Sequence, residues 1–558
     1  MKNRILTIVF AAMAVLGLSS CNDYLTRNPL DSNSDATNWT SEDAIQNYSW
    51  NFYAYFYEMS YGSGWTKGQY HAETLTDDYS TEEFTQFTKT VPNSSSAWNA
   101  AYERIRMANI MLSRIDRVEG MPAEAADHWR GVARFFRALY HFNLVKTFGD
   151  VVWVDAEVDF AKEEEITRPR DSRVVVMDNV VADLQFAAAH CYAPAKTGNA
   201  VNNMVAQALL SRAALYEAAW EKYHNVAGGH PDTFYKVAKD AAKAVIDSGL
   251  YTVTDNYKGM YTSLNLAGSK EVIMYKHYTL ANVNGGKITA AHSQYGWINS
   301  STPTWGLTKS AIENYACADG IPVHMKGAAY DDTTVEGVFA ARDARLAATV
   351  KDDVLPVVEM PYTNNSIVAT TGYWTYKFLD MSKEEEYKKL ATWNAPSNDT
   401  DGPIFQYSEV LENYAEACAE LKQISQNDLD ISVNLLRTLH GGIPALTLAG
   451  EGCTVNGTAI TKDANDPAAN VLLQELRRDR RSELMADGFR HDDLMRWALG
   501  KNLDTKLNEA GYVGASKVAI KALADKAGAN WAEVEKKNFF TKAGYKSPYN
   551  TTAVGSAD

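Results

Sequence analysis

At 558 residues the chain is too long for one compact core, so two or more lobes are expected. Its composition, 46% hydrophobic and 22% charged, is ordinary for a globular protein. With 54 basic against 69 acidic side chains the net charge is −15, which argues against nucleic acid or an anionic glycan as partner, because either needs a positive field.

Residues 1–20 read as a signal peptide. Lys2 and Arg4 precede an apolar run from Ile5 to Leu18, too short to span a bilayer. The run ends in "LSSC", similar to a bacterial lipobox, whose cleavage leaves Cys21 as an acylated first residue. Several acyl chains, at about 0.8 kcal/mol per buried methylene, anchor a protein permanently. No later stretch approaches eighteen apolar residues, so the mature chain is expected to be tethered to a membrane through its lipid alone. Cys191, Cys317, Cys418 and Cys453 form no C-x-x-C pair and read as incidental, with a disulfide left open; no metal site or cofactor is expected.

After the polar tether, 21–39, helical patterning runs from 40 to 250. "WTSEDAIQNY" starts the first helix, with Thr40 and Asp43 spaced as a capping box. An aromatic, Gly-rich loop at about 60–97 precedes "WNAAYERIRMANIMLSRI", where Tyr102, Ile105, Ile110, Leu112 and Ile115 share a face. Longer helices are predicted over about Ala123–Phe148 and Asp171–His190. "NMVAQALLSRAALYEAAW" and "TFYKVAKDAAKAVIDSG" then alternate small and aromatic residues at helical spacing, as two closely approaching antiparallel helices require. This pair is similar to a tetratricopeptide unit without the strict consensus. From 251 to 404 Gly, Asn, Thr and Pro punctuate short runs such as "EVIMYKHY" and "GYWTYKFLD", which predicts an irregular lobe with a few short strands. Segment 405–500 resumes the helical pattern with "YSEVLENYAEACAEL" and "DLDISVNLLRTLH", and the tail 501–558 carries one helix near 515–538.

Six arginines (Arg477, Arg478, Arg480, Arg481, Arg490 and Arg496) crowd the window "ELRRDRRSELMADGFRHDDLMRWALG". Six acids, Glu475, Asp479, Glu483, Asp487, Asp492 and Asp493, balance them. The first four acids recur every fourth residue as a ridge, so arginines can bridge to it or to neighbouring helices. A phosphate-binding surface would not cancel its own field, so the arginines read as structural. Leu472, Leu473, Leu476 and Leu484 mark a packing helix, Asp487-Gly488 a turn, and "FRHDDLMRW" a second helix.

"RRSELMADGFRHDDLMRW" resembles the C-terminal signature of the SusD/RagB family of outer-membrane nutrient-binding lipoproteins. The matching positions are Arg481, Glu483, Leu484, Gly488, Arg490, Asp493, Leu494, Arg496 and Trp497, with Asp487 where Glu is usual. "WNAAYERIRMANIML", "ARFFRALYHFNLVKTFGDVVWV", "WGLTKSAIENYACADGIPV", "ARDARL", "TGYWTYKF" and "AEACAEL…NLLRTLHGGIPAL" resemble further family segments in order, with Val152 and Ala344 replacing prolines. The resemblance covers roughly 21–500. It implies a mainly α chain: a tetratricopeptide-like helical repeat body of four such pairs, with an irregular, loop-rich ligand-binding lobe carrying a few short strands. It also implies a non-catalytic lipoprotein, exposed on the Gram-negative outer membrane, that captures a glycan beside a SusC-like TonB-dependent transporter.

Sugar rings stack their C–H faces on exposed aromatic rings while polar groups bond the hydroxyls. Two loops have that composition. One offers Tyr61, Trp65, Tyr70 and Tyr79; the other offers Tyr295, Trp297 and Trp305 with Gln294 and Asn299. Trp65 and Trp297 read equally as sugar platforms or gap fillers, and Trp305 also as a cap on the following helix. Trp98 and Trp497 lie in packing motifs and read as structural. A glycan-active enzyme would need two carboxylates flanking a cleft. The runs "KEEEI" and "KEEEY" read instead as solvated helix faces, and no G-x-S-x-G, H-E-x-x-H or phosphate loop occurs. "SNDTDG" resembles a calcium loop, but Ser397 and Ser408 stand where Asp and Glu are needed. Capture of a peptide or other nutrient, a glycan-active envelope enzyme and a purely structural scaffold remain the alternatives.

Overall fold

A computed structural model describes residues 35, 39–58, 76–80, 94–277, 306–332, 334–350, 373, 375–378, 380, 382, 400–464, 466–500, 521 and 525. Helix α1 (Glu42–Ser49) begins at Ser41, whose Oγ accepts from the Ala44 amide at 3.2 Å. The expected Thr40–Asp43 capping box is not the start: Ser41, one residue later, has the extended backbone that a cap needs. A 3-10 turn leads into α2 (Ala54–Glu58), and the short strand β1 (Tyr79–Ser80) follows.

The repeat body is then built from α3 (Ser96–Arg114), α4 (Ala123–Phe148), α5 (Arg173–His190), α6 (Asn203–Tyr223) and α7 (Pro231–Asp247). Caps set the starts. Ser95 and Ser172 accept from the third amide onward, and Asn202 Oδ1 accepts from the Met204 and Val205 amides at 2.9 and 3.0 Å. Each helix packs on the next in this order. Ala206, Ala213, Ala219, Ala238 and Ala242 are fully buried where α6 meets α7, with Tyr216 and Tyr235 filling the space beside them, as the small/aromatic alternation anticipates.

The chain next enters the irregular lobe: β2 (Val272–Lys276), β3 (Gly306–Leu307), α8 (Lys309–Asn314), α9 (Ala344–Thr349) and β4 (Gly402–Gln406). Strands β1 and β3 pair antiparallel, as do β2 and β4. The lobe has its own apolar cluster, built on Tyr257, Tyr261, Leu307, Ile312, Tyr315 and Phe378.

Helix α10 (Tyr407–Glu420) returns to the body, packs on α7 and is buried along its whole length. The helix expected over "DLDISVNLLRTLH" is broken. A short turn of helix, Gln426–Asp430, ends before α11 (Val433–Leu439), because the Ser432 hydroxyl takes the Asp428 carbonyl that would continue the ladder. Hairpin strands β5 (Thr447–Ala449), β6 (Gly452–Val455) and β7 (Thr458–Ala459) precede α12 (Val471–Glu483) and α13 (Arg490–Arg496). Between α12 and α13, Gly488 turns the chain with a φ of 87°. The acids therefore do not form one ridge: Glu475, Asp479 and Glu483 lie on α12, and Asp487 lies beyond its end. The four cysteines Cys191, Cys317, Cys418 and Cys453 are free thiols. Of the expected tail helix only Lys521 and Asp525 are described, as an i,i+4 ion pair.

Candidate functional site

The arginine window turns inward. All six arginines meet carboxylates; Arg477, Arg480 and Arg496 are buried and Arg478, Arg481 and Arg490 half-buried. Arg477 pairs with Glu420 and Asp466, Arg478 with Glu475 and Asp463, and Arg480 with Asp493. Arg496 makes two bonds to Glu416 of α10, while the Trp497 indole donates to the same carboxylate at 2.7 Å. Asp479 and Glu483 of α12 are claimed by residues far away in sequence. Arg345 bridges Asp343, Asp479 and Glu483; Arg437 meets Asp479; and His440 sits between Glu483 (2.8 Å) and Glu271 (3.1 Å). Asp487 takes Lys377 at 3.0 Å and the Tyr261 hydroxyl at 2.7 Å.

Two arginines reach further. Arg490 holds Asp77 through two bonds of 2.7 and 2.8 Å, and Arg481 holds Asp78 at 2.7 Å. Asp77 and Asp78 immediately precede β1, the strand to which the first aromatic loop returns. Its partner β3 is where the second aromatic loop returns: Tyr79 lies opposite Leu307 and Ser80 opposite Gly306. The departure points are joined as well. Phe56 of α2 packs edge-on against Phe405 of β4, and β4 pairs with β2, from which the second loop leaves. Between these, the Tyr53 hydroxyl accepts from the Val201 amide at 2.8 Å, and Asn199 brackets the Tyr275 backbone with bonds of 2.7 and 3.0 Å. The described roots of the two loops thus lie side by side at both ends.

Two family profiles cover the chain: "SusD family" over residues 270–556, more than half of it, and "Starch-binding associating with outer membrane" over 23–215. The chain belongs to the SusD family. A SusD-like protein of Bacteroides ovatus is 24% identical over 277 residues, 48% of this chain and 48% of that protein, so the chain spans about half the length of that relative. A SusD-like protein P2 of Formosa agariphila is 23% identical across 73% of this chain and 72% of its own. The crystal structure of a SusD-like carbohydrate binding protein from Bacteroides fragilis superposes with a TM-score of 0.65 at 19% identity, covering 93% of this chain and 99% of that one. A laminarin binding SusD-like protein superposes with a TM-score of 0.56 at 15% identity, covering 89% of this chain and 95% of its own.

The SusD motifs are therefore motifs of interior bonding. Asn109, which closes one motif, meets Arg137 of the next at 2.9 Å, and Arg137 makes a two-pronged bond to Asp183 at 2.7 and 2.8 Å. Trp497 is buried and Trp98 half-buried against Tyr102 and Phe148, in keeping with their structural reading.

The predicted ligand residues Trp65, Tyr70, Tyr295, Trp297, Asn299 and Trp305, and the lipidation residue Cys21, lie outside the described residues. Tyr79 is a correction. It is not an exposed platform but is 1% exposed in the core of the lobe, with its hydroxyl 2.7 Å from Thr375 Oγ1, because β1 turns it inward. Sequence reasoning also missed Asp77, Asp78 and Thr308. The adjacent acids of "TDDYS", with no local cation, were the available signal. Among the described residues no group of His, Cys, Asp or Glu is arranged to hold a metal ion, and no helix is long and apolar enough to cross a membrane.

Proposed function

We propose that this chain is a non-catalytic, lipid-anchored protein on the outer face of the outer membrane, which captures an oligo- or polysaccharide and delivers it to a SusC-like TonB-dependent transporter. The observation that carries this reading is the β1–β3 pair, which roots both aromatic loops on one side of the lobe. Trp65 and Tyr70 on one loop, and Tyr295, Trp297, Trp305 and Asn299 on the other, are the residues this reading assigns to the glycan. Family membership and the carbohydrate-binding SusD-like neighbours support the same reading. The reading is non-catalytic in keeping with the family resemblance, and among the described residues Asp77 and Asp78 at the roots are taken up by arginines. Acyl chains on Cys21 would hold the protein at the membrane.

The test is electrophoresis of the mature chain, without lipid, through native gels cast with amylopectin, laminarin, xylan or polygalacturonate. One polysaccharide should retard the wild type, and Trp65→Ala combined with Trp297→Ala should cancel the retardation. Retardation that survives the double substitution removes the ligand from these loops. No retardation by any of the four contradicts polysaccharide capture as stated.

A further inference from the structure

Strands β1 and β3 are two residues each, far below the length at which strand pairing holds its own register. Something else must fix the roots of the aromatic loops. Thr308 ties the two strands' ends together, its amide donating to the Asp78 carbonyl at 2.8 Å and its hydroxyl to the Asp77 carbonyl at 2.6 Å. The carboxylates of the same two residues then face Arg490 and Arg481. We propose that the Asp77–Arg490 and Asp78–Arg481 pairs form a clamp that sets the position of the glycan-capturing loops, making Arg481 and Arg490 positioning residues for capture without touching the ligand. This rests on the glycan-capture reading above.

Three observations carry the clamp. The Arg490 contact is two-pronged, so it fixes the angle of the Asp77 carboxylate as well as its distance, which a lysine could not do. Both guanidinium groups are nearly buried, with side-chain exposures of 10% for Arg490 and 9% for Arg481, so water screens the pairs weakly. The clamp is also tied at its far end. Arg490 opens α13, whose Asp493 bonds Arg480 and Arg496, and Arg496 is locked to Glu416 in the middle of the body. Ion pairs from Glu416 through Arg496 to Asp493, and the turn of α13 that carries both Asp493 and Arg490, therefore connect the buried helix α10 with the loop roots. The other arginines of the window join helix to helix or close short connections. Arg481 and Arg490 are committed to a short segment whose role is to begin and end loops.

The test compares Arg490→Lys, Arg490→Gln and the double substitution Asp77→Asn with Arg490→Gln, all in the full mature chain. The double substitution leaves no unpaired buried charge, so it remains folded if the single one does not. Two readouts are taken: hydrogen exchange at residues 76–80 and 306–308, and retardation by whichever of the four polysaccharides retards the wild type. Arg490→Gln and the double substitution should speed exchange at both roots, leave α3–α7 unchanged, and weaken retardation about tenfold. Arg490→Lys, which restores charge without the fork, should fall between. Faster exchange with undiminished retardation, or unchanged exchange in the double substitution, overturns the clamp while leaving glycan capture standing. A wild type retarded by none of the four removes the glycan reading and the proposal together.

Discussion

His440 shows how the interior charges act. Burial alone would lower its pKa, but Glu483 and Glu271 on either side of the ring overcome this and raise it to about 9 from an ordinary 6.5. The folded protein therefore holds the proton more tightly than the unfolded chain. The resulting stability is fully present below about pH 6.5 and is lost as pH rises through about 9, and a shift of this size is on the order of 3 kcal/mol. Denaturant titrations of the wild type and His440→Gln should differ most at pH 6 and converge by pH 9.5. A gap that stays constant across that range would mean the imidazolium adds nothing. Glu483, flanked by His440 and Arg345, is held near 2 against its burial and stays ionised throughout, so it does not blur this window. Little of this was legible in the sequence. Spacing showed that acids and arginines balance within 475–500, but the partners His440, Arg345 and Glu271 lie 43, 138 and, from His440, 169 residues away, beyond any local pattern.

At the scale of elements the sequence was far more readable, because helix periodicity and caps are local. Helix α4 has the predicted bounds, and α3, α5, α6 and α7 start or end within a few residues of expectation. Helix α10 was recognised, but its setting was not. Glu409, Glu416 and Glu420 are each buried against a cation from another helix: Arg212 of α6, Arg496 of α13, and Arg477 of α12. Such charges are retained only where each finds its partner. The contact between α4 and the end of α5 offers a sharp test. Gly131 lies in mid-helix, where alanine would be favoured by about 1 kcal/mol. A Cβ there, however, would come within 2.6 Å of the buried Cys191 Sγ. Overpacking of this kind costs about 1–3 kcal/mol, so the clash should win. Gly131→Ala should lower the thermal midpoint, and adding Cys191→Ala should recover most of the loss. Simple additivity of the two substitutions would show that the contact is not what keeps the glycine.

At the scale of the whole molecule, ion pairs join the repeat body and the irregular lobe. Residues of α12 and α13 reach α10 on one side and α9, α11 and the loop roots on the other. The family resemblance was visible because these bonds demand particular residues at particular positions. For the same reason the fold could be read from the sequence more fully than the ligand face, and the aromatic residues assigned to that face stand on composition and on where their loops are rooted. Hydrogen exchange of the full mature chain, with and without the polysaccharide that retards it, tests the account most directly. Protection concentrated in residues 59–75 and 278–305, with α3–α7 unchanged, is the predicted result; protection centred on the repeat helices would contradict it.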